Sequence, residues 1–310
     1  GAAMIVCIGA FDGYHRGHFA LFDRARSLSR ELNTDWTLVT FEPHPRFVLG
    51  VLKARLFSQE EKNFLRGCLG VPDPIEIPVT RVFADTEPQI FLDELRKRVP
   101  LDGIVVGSDF RFGRGRTGDG AFLRRYGAKF GLKVELVPQL EEGGSPVSST
   151  RVRSCIEKGD LEQASCLLGY PFFIRSRVVH GQQRGRTFGF PTANLNPGEY
   201  KLIPAEGVYA GSAWADGQWY AAAVSVGRNP TFGDGLDLRL EVHVLEFSGG
   251  LYGHKLLLAL FRRLRPMERF ANADALAKQL QADCAQAQEC FTISSPLLEI
   301  FRQNGQDQRK

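Results

Sequence analysis

The sequence predicts an α/β protein in which a parallel sheet covered by helices is followed by an antiparallel β-barrel and C-terminal helices. In the first half, apolar runs rich in Val and Ile alternate with amphipathic stretches, which is typical of a parallel sheet covered on both faces. The pattern changes around residues 169–171. Beyond them, short β-type runs separated by Gly and Pro follow one another without helices, which indicates a barrel.

In the first half, each apolar run is interpreted as a buried strand and each amphipathic stretch as a helix. The predicted strands are residues 4–9, 36–41, 75–79, 103–107 and 133–137, and the predicted helices are residues 18–32, 89–99 and 120–130. Ligands of such sheets bind beyond the carboxyl ends of the strands. We therefore expect functional residues in the loops that follow these strands.

The second half has five predicted barrel strands, the first starting at residue 172 (FFIRSRVV) and the last at residue 255 (KLLLALFRRL). Two helices are expected after them, at about residues 272–290 and 296–303. We place a boundary near residue 170, which gives domains of residues 4–169 and 170–310. A chain of 310 residues is long enough for each domain to bury its own core.

Composition narrows the functional classes. Hydrophobic residues make up 43% of the chain and charged residues 24%, as in ordinary globular proteins. The formal net charge of +4 suits small anionic ligands. The chain has no basic tail of the kind that would indicate a nucleic-acid partner. No apolar run could span a bilayer, and no signal peptide is expected. Six cysteines without a C-x-x-C pair predict reduced thiols in a cytoplasmic protein, and the sequence does not indicate an oligomeric state.

The first candidate site is residues 9–18, GAFDGYHRGH, which leave the first predicted strand and enter the first helix. A helix N-terminus binds phosphate through its unpaired N–H groups and partial positive charge. His15 and His18 can share one side of the first turn, and Gly13 and Gly17 allow a polyphosphate to approach the backbone. Simple helix capping would explain a lone His pair, but the full string at the end of a strand favours phosphate chemistry.

A second phosphate-binding segment is SSTRVR, residues 148–153, which precedes another helical stretch. Its hydroxyls and guanidinium groups can cap that helix and bind phosphate. Two other glycine-rich segments fit nucleotide motifs less well. Residues 113–118 satisfy G-x-G-x-x-G, but residues 108–112 separate them from their strand, which makes a dinucleotide site the weaker interpretation. Residues 181–187 are one residue short of a P-loop and have Arg in place of its Lys.

The third candidate site lies in the predicted barrel. Glycines and arginines in residues 181–189 can bind phosphate. Thr192 and Asn194 are two residues apart, so in an extended backbone they point to one side, and both offer oxygen ligands suitable for Mg²⁺. Glu241 lies in a predicted strand, where it could accept a proton from an attacking hydroxyl. Alone, Glu241 would be interpreted as a solvent-facing residue and the Pro-Thr-Ala-Asn segment as a stiffened turn.

Four segments resemble the N-terminal module of bacterial bifunctional riboflavin kinase/FAD synthetases, which belongs to the HxGH nucleotidyltransferase superfamily. They are residues 9–18, 40–45 (TFEPHP), 105–119 (VVGSDFRFGRGRTGD) and 148–153. The resemblance implies a Rossmann-like parallel sheet on which the phosphate of FMN attacks the α-phosphate of ATP. The products would be FAD and pyrophosphate, and the reaction would use Mg²⁺.

The resemblance also implies site residues for adenylyl transfer. The implied catalytic residues are His15, His18 and Arg151. The implied ATP-binding residues are Gly9, Phe11, Asp12, Gly13, Gly17, Asp109, Ser148, Ser149, Thr150 and Arg153. The implied residues of the flavin and nucleotide pocket are Phe41, Pro43, His44, Phe112 and Arg265.

The second half is similar to the riboflavin kinase module of the same family, through GFPTAN, GVYA, PTF, EVH and LYG. This implies a six-stranded barrel that phosphorylates riboflavin from ATP to give FMN and ADP. Glu241 would be the base, and Thr192 and Asn194 would bind Mg²⁺. The implied ATP-binding residues of the kinase are Gly181, Arg184, Gly185, Arg186, Gly189 and Pro191.

Two alternatives stay open at this point. Residues 225–229 (SVGRN) depart from the usual pattern of the family, so the chain could retain one activity and act partly as a flavin-binding module. A nucleotidyltransferase acting on another phosphate acceptor, such as a pantetheine phosphate or nicotinate mononucleotide, is a third hypothesis. The kinase-like second half and the SDFRFG segment argue against it.

Overall fold

The computed structural model describes residues 3–179, 192–230 and 236–304. By its contacts the chain forms two compact units, which are described separately below. The first unit consists of Gly1–Arg55 and Leu69–Ser149, and the second of Leu56–Cys68 and Thr150–Lys310. The segments 56–68 and 150–169 therefore group with the second unit. The sequence-based boundary near residue 170 remains a proposal about functional modules.

The helices and strands of the described residues are numbered along the chain. The helices are α1 (Arg16–Glu31), α2 (Pro45–Val48), α3 (Gln59–Leu69), α4 (Arg81–Ala84), α5 (Pro88–Arg98), α6 (Gly120–Phe130), α7 (Ser149–Lys158), α8 (Leu161–Leu168) and α9 (Ala273–Ser294). The first seven strands are β1 (Met4–Ile8), β2 (Asp35–Glu42), β3 (Ile75–Pro78), β4 (Leu101–Gly107), β5 (Lys133–Val137), β6 (Glu141–Glu142) and β7 (Ser145–Pro146). The others are β8 (Phe172–Val179), β9 (Ala193–Leu195), β10 (Gly207–Ala215), β11 (Gln218–Pro230), β12 (Leu236–Val244) and β13 (Lys255–Arg265). Short 3₁₀ helices cover Arg114–Arg116 and Ser295–Asn304.

The first unit is built on the predicted parallel sheet, whose described strands lie in the order β3-β2-β1-β4-β5. Strand β1 is central, and its Ile5, Val6 and Cys7 have no exposed surface, because helices cover both faces of such a sheet. The strand order reverses between β1 and β4. In open α/β sheets, ligands bind beyond the carboxyl ends of the strands at this switch point. The loops after Ile8 and Gly107 are thus expected to form the site.

The second unit contains the predicted antiparallel barrel, which is closed by the described strands in the order β10-β11-β12-β9-β8-β13. Strand β12 illustrates how alternation divides its two faces. Leu240, Val242 and Val244 are buried, whereas the intervening Glu241 and His243 are partly exposed. The apolar side chains therefore fill the barrel, and the polar ones lie on its outer face. Helix α9, which corresponds to the helix predicted at about residues 272–290, packs against strands of this barrel.

A buried ion pair fixes the segment 56–68 within the second unit. The ammonium of Lys201 lies 2.8 Å from Glu61 Oε2 and donates to the carbonyls of Leu56 and Phe173, at 2.7 and 2.9 Å. Glu61 also accepts hydrogen bonds from the backbone N–H groups of Arg175 and Ser58, both at 2.8 Å. Because both charges are paired and hydrogen-bonded, the desolvation cost of burying them is offset.

The predicted elements agree with the structure to within a few residues at most ends. The strand predicted at residues 133–137 and the helix at 120–130 coincide with β5 and α6. Helices α3 and α8 were not among the predicted elements. No helix within residues 3–179, 192–230 and 236–304 combines the length and the apolar content needed to cross a membrane.

Candidate functional site

Two histidines cap the N-terminus of α1. His15 is the N-cap residue, and its Nδ1 accepts a hydrogen bond from the backbone N–H of His18 at 3.3 Å. The Nδ1 of His18 accepts in return from the backbone N–H of His15 at 3.2 Å. This is a capping box in which imidazoles replace the more usual hydroxyl and carboxylate groups. The two rings stack with their centroids 3.6 Å apart.

These hydrogen bonds determine which ring nitrogens carry protons. Because both Nδ1 atoms accept, the proton of each neutral imidazole is assigned to Nε2, which becomes a donor. The side chain of His15 is buried, with the residue 5% exposed, and this burial lowers its pKa to about 4 despite the opposing charge of Asp12. His15 is therefore neutral near pH 7. A neutral donor can bind a phosphate oxygen without a change in protonation.

Close packing holds the His15 ring in place. A Cβ atom added to Gly17 would lie 2.9 Å from Cε1 of His15 and 3.0 Å from its Nδ1, so only glycine fits here without a shift. The edge of the Phe11 ring contacts His18, with ring centroids 5.1 Å apart. Phe11 has a φ of 44°, a conformation uncommon for residues other than glycine. Gly13 follows with a φ of 68° and allows the tight turn into the helix.

A cavity of about 980 Å³ opens at the carboxyl edge of the parallel sheet, at the expected switch point. It is large enough for a nucleotide and a second ligand of similar size. Eleven of the sequence-predicted residues line it. They are Gly9, Phe11, His15, Gly17, His18, Phe41, His44, Asp109, Phe112, Ser148 and Ser149. The fold thus brings together residues from segments at the ends of four different strands of the first unit.

Three further predicted residues of the first unit, Asp12, Gly13 and Pro43, are not among those that line the cavity. Asp12 accepts a hydrogen bond at its carbonyl from the hydroxyl of Ser149 at 2.6 Å. Gly13 forms the turn described above. Pro43 follows a cis peptide bond at the end of β2, next to His44, whose Nδ1 accepts from the backbone N–H of Arg46 at 3.1 Å. Their predicted roles in binding remain proposals.

A group of aromatic and cationic residues in the cavity wall was not predicted from the sequence. They are Arg46, Phe83, Phe110, Arg111 and Arg116. Arg116 belongs to the loop 113–118 that matches G-x-G-x-x-G, and Gly113 and Gly115 of the same loop also line the cavity. The arginines of that loop were the available signal. Guanidinium groups are well suited to phosphate.

Four further predicted residues lie in the second unit, so their positions relative to this cavity are not described. Thr150, Arg151 and Arg153 are in α7, whose first residue, Ser149, belongs to the first unit. Arg265, at the end of β13, makes a bidentate ion pair with the buried Asp283 of α9, with distances of 3.0 and 2.8 Å. Their predicted functions remain proposals.

In the second unit, the residues predicted for phosphoryl transfer meet on the outer face of the barrel. Asn194 in β9 is the direct cross-strand partner of Glu241 in β12. Directly opposed residues of antiparallel strands share a face, with Cβ atoms about 5 Å apart. Thr192 lies two residues before Asn194 and is partly exposed, as Asn194 and Glu241 are. The barrel therefore presents an amide oxygen and a carboxylate close together, with the Thr192 hydroxyl two residues before the amide along the chain.

The remaining kinase residues lie outside the described part of the chain. They are Gly181, Arg184, Gly185, Arg186, Gly189 and Pro191. Among the residues that the structure describes, no group of three His, Cys, Asp or Glu side chains could hold a metal ion. The Mg²⁺ site predicted from Thr192 and Asn194 is of a different kind, built from a hydroxyl and an amide, and remains a proposal.

A parallel sheet with a histidine-capped helix start at its switch point, followed by a closed barrel in which an amide faces a carboxylate, is typical of a two-module nucleotide-dependent transferase. Residues 2–151 match the family model described as FAD synthetase, and residues 168–291 match the one described as riboflavin kinase. The chain belongs to the family of bifunctional riboflavin kinase/FMN adenylyltransferases. It is a transferase of flavin cofactor biosynthesis that depends on ATP.

Relatives along nearly the whole chain support this assignment. The bifunctional riboflavin kinase/FMN adenylyltransferase of Listeria monocytogenes is 33% identical, and the alignment covers 90% of both chains. The Escherichia coli K12 protein of the same name is 37% identical, with 94% of both chains covered. A crystal structure described as a macrolide-efflux protein from Streptococcus pneumoniae has a TM-score of 0.86 and 33% identity, covering 93% of this chain and 94% of that one. Both domains are present, which favours two activities over a chain with one.

Proposed function

We propose that the cavity of the first unit is the site at which FMN is adenylylated by ATP. The observation that supports this most is the reciprocal cap between His15 and His18. Because Nδ1 of each ring is engaged in the cap, Nε2 of each ring is the donor that it offers at the start of α1, and both histidines line the cavity. Positioned donors of this kind stabilise negative charge that develops on a phosphoryl group.

The proposed adenylyl transfer is a single displacement. A phosphate oxygen of FMN attacks the α-phosphorus of ATP, the bond from that phosphorus to the β-phosphate oxygen breaks, and pyrophosphate leaves. His15 and His18 donate hydrogen bonds to the phosphate oxygens as charge moves to the leaving group. Ser148 and Ser149, which line the cavity, bind the triphosphate, so that attacking and leaving oxygens stay in line.

The acceptor is proposed to bind in the part of the cavity formed by aromatic rings. Phe41, Phe83 and Phe112 line it, and a planar isoalloxazine can stack on such rings. Asp109 is held by Gln139, whose side-chain amide donates to Asp109 Oδ2 at 2.8 Å. We propose that the fixed Asp109 carboxylate orients the nucleotide.

The barrel is proposed to make the FMN that the first unit uses. The ribityl 5′-hydroxyl of riboflavin attacks the γ-phosphorus of ATP, the bond to the ADP oxygen breaks, and Glu241 accepts the hydroxyl proton. Its position opposite Asn194, on the outer face of β12, supports this role. The glycines and arginines of residues 181–191 are proposed to bind the ATP phosphates.

Mg²⁺ is proposed as the metal ion of both reactions. In the barrel, the side-chain oxygens of Thr192 and Asn194 suit a hard cation, and Glu241 lies directly across from Asn194. Bound there, the ion would neutralise charge on the ATP phosphates. The chain's own residues then position the two substrates and accept the proton.

Competition between acceptors tests the proposed substrate of the first unit. Purified protein is supplied with ATP, Mg²⁺ and equal amounts of FMN, pantetheine phosphate and nicotinate mononucleotide, and the adenylylated products are separated by chromatography. FAD is expected as the dominant product. A dominant dinucleotide of another acceptor would show that the aromatic wall of the cavity has been assigned to the wrong ligand.

A further inference from the structure

We propose that Arg16 and Glu142 form a positioning pair, which holds the triphosphate-binding serines against the histidine-bearing helix start. Arg16 is the first residue of α1, and its Nη1 lies 2.6 Å from Oε2 of Glu142 in strand β6. Neither residue is among those of the described chain that line the cavity. The proposal rests on the proposed adenylyl transfer and concerns how this chain assembles that site.

The hairpin of β6 and β7 leads directly into the serine segment. Glu142 pairs with Ser145 across the hairpin, and the backbone N–H of Val147 donates to the carbonyl of Leu140 at 2.8 Å. These bonds connect Glu142 rigidly to residues 147–149. Val147, Ser148 and Ser149 line the cavity, so a shift of the hairpin would move the side chains that are proposed to bind the triphosphate.

Two further contacts join the same segment to the histidine loop. The hydroxyl of Ser149 donates to the carbonyl of Asp12 at 2.6 Å. The carbonyl of Val147 lies only 3.3 Å from the position that a Cβ atom on Gly17 would occupy. The ion pair adds an attraction between two charged side chains to these approaches of the segment 142–149 to the loop 12–17.

The expected effect is modest and specific. Arg16 and Glu142 are 36% and 39% exposed, and ion pairs of this exposure contribute little to stability and are screened by salt. Loss of the pair should therefore leave the fold intact. We expect it to loosen the serine segment and raise KM for ATP in adenylyl transfer by about two- to fivefold, with a smaller change in kcat.

The directions of two single variants separate positioning from simple charge effects. If the residues acted only through their charge on ATP, Arg16→Gln would weaken ATP binding, whereas Glu142→Gln would strengthen it. Positioning predicts that KM for ATP rises in both variants. Exchanging the two charges, with Arg16→Glu and Glu142→Arg in one chain, should restore part of the loss because the ion pair re-forms.

The matched control is Glu135→Gln. Glu135, in β5, makes an ion pair at 2.8 Å with Arg24, which lies in α1 as Arg16 does. The exposures of Glu135 and Arg24 are 36% and 32%, close to those of the proposed pair, but Glu135 is not in the hairpin. Adenylyl transfer from FMN and phosphorylation of riboflavin are measured for each protein over a range of ATP concentrations. We expect Arg16→Gln and Glu142→Gln to raise KM for ATP only in adenylyl transfer, and Glu135→Gln to change neither reaction.

Three results would overturn the proposal. These are a lower KM for ATP in Glu142→Gln, an equal change in Glu135→Gln, and an equal change in the kinase reaction. His18→Ala is assayed in parallel, so that a failure of the proposed function is seen separately. If His18→Ala still formed FAD at the wild-type rate, the adenylyl transfer site itself would be misplaced, whatever the ion-pair variants showed.

Discussion

Asn194 and Glu241 face each other across two antiparallel strands, on the outer face of a closed barrel. The carboxylate proposed to accept a proton and the amide oxygen proposed to bind a metal ion are thereby held on one surface of the barrel. Strands position such groups more precisely than loops do. Because the two side chains are close, Glu241 would accept the riboflavin proton next to the metal ion that Asn194 is proposed to hold at the phosphate.

The first prediction concerns this pair. Glu241→Gln removes the proton acceptor but keeps the shape and a hydrogen-bonding end group. The kcat of riboflavin phosphorylation should fall about 10²- to 10⁴-fold, the usual contribution of a general base. FAD formation from supplied FMN should be unchanged, which serves as a control for folding. Kinase turnover at the wild-type rate would show that Glu241 is not the base.

His18→Ala should have the opposite pattern. It removes one Nε2–H donor and the cap to the backbone N–H of His15. FAD formation from FMN should fall about 10²- to 10³-fold, the loss seen when a positioned donor to developing charge is deleted. Riboflavin phosphorylation should persist. Arg26→Gln, a change at a partly exposed position of the same helix, should leave both activities intact. An equal loss of FAD formation in the Arg26 variant would indicate that the His18 substitution acts by disturbing the helix as a whole and not by removing a donor from the site.

Gly17→Ala tests whether the position of the His15 ring matters. The added methyl group would lie 2.9 Å from Cε1 of that ring, so the imidazole or the helix start has to move. Displacements of about 1 Å at a catalytic group can cost about 10²-fold in rate. We expect a fall of that order in FAD formation with an unchanged kinase rate. An unchanged rate of FAD formation would show that the ring position is not critical.

The buried state of His15 predicts a pH effect on stability. The native pKa is about 4, against 6.5 for an exposed imidazole, so between these values the unfolded chain binds the proton and the native chain does not. This contribution to stability is complete above pH 6.5 and is lost as the pH falls towards 4. It amounts to about 3 kcal/mol.

The matched variant is His15→Asn, which keeps an acceptor at the N-cap but does not titrate. Urea unfolding is followed from pH 7 to pH 4. The stability advantage of wild type over the variant should shrink by about 3 kcal/mol over this range. Parallel curves for the two proteins would mean that His15 is not held neutral in the native state.

The ion pair between Lys201 and Glu61 predicts a stability effect in the second unit. The side chains are 1% and 2% exposed, so Lys201→Met leaves a buried carboxylate without its cationic partner, at a cost of about 3–5 kcal/mol. Lys255→Met, which breaks a more exposed pair with Glu60, should cost about 1 kcal/mol or less. Denaturant unfolding compares the two. An equal loss in the free energy of unfolding for the two variants would show that the contribution of these ion pairs to stability does not depend on their burial.

Much of this structure was predictable from local patterns. The strand that ends at Ile8, the glycine-rich string after it and the helix after that follow from apolar runs and turn residues, which act over a few positions. Strand alternation likewise placed Glu241 on a polar face. The pairing of Asn194 with Glu241 was not predicted, because register across distant strands is set by the whole barrel rather than by either segment.

Contacts between residues distant along the chain account for what was missed. Glu61 and Lys201 are separated by some 140 residues, and nothing near either of them indicates that α3 groups with the barrel. Helix capping was considered for His15 and His18, and the structure shows it, but the reciprocal form was not predicted because cap preferences favour small polar residues over imidazole. The cavity-lining Arg116 lies in a loop whose motif pointed to a different ligand class.

The two activities are tested together by one time course. Purified protein is supplied with riboflavin, ATP and Mg²⁺, and the flavins are separated by chromatography at intervals. The account predicts that FMN appears first, passes through a maximum and is replaced by FAD, with pyrophosphate released in step with FAD. FMN that accumulates without FAD, or riboflavin that remains unchanged, would contradict it.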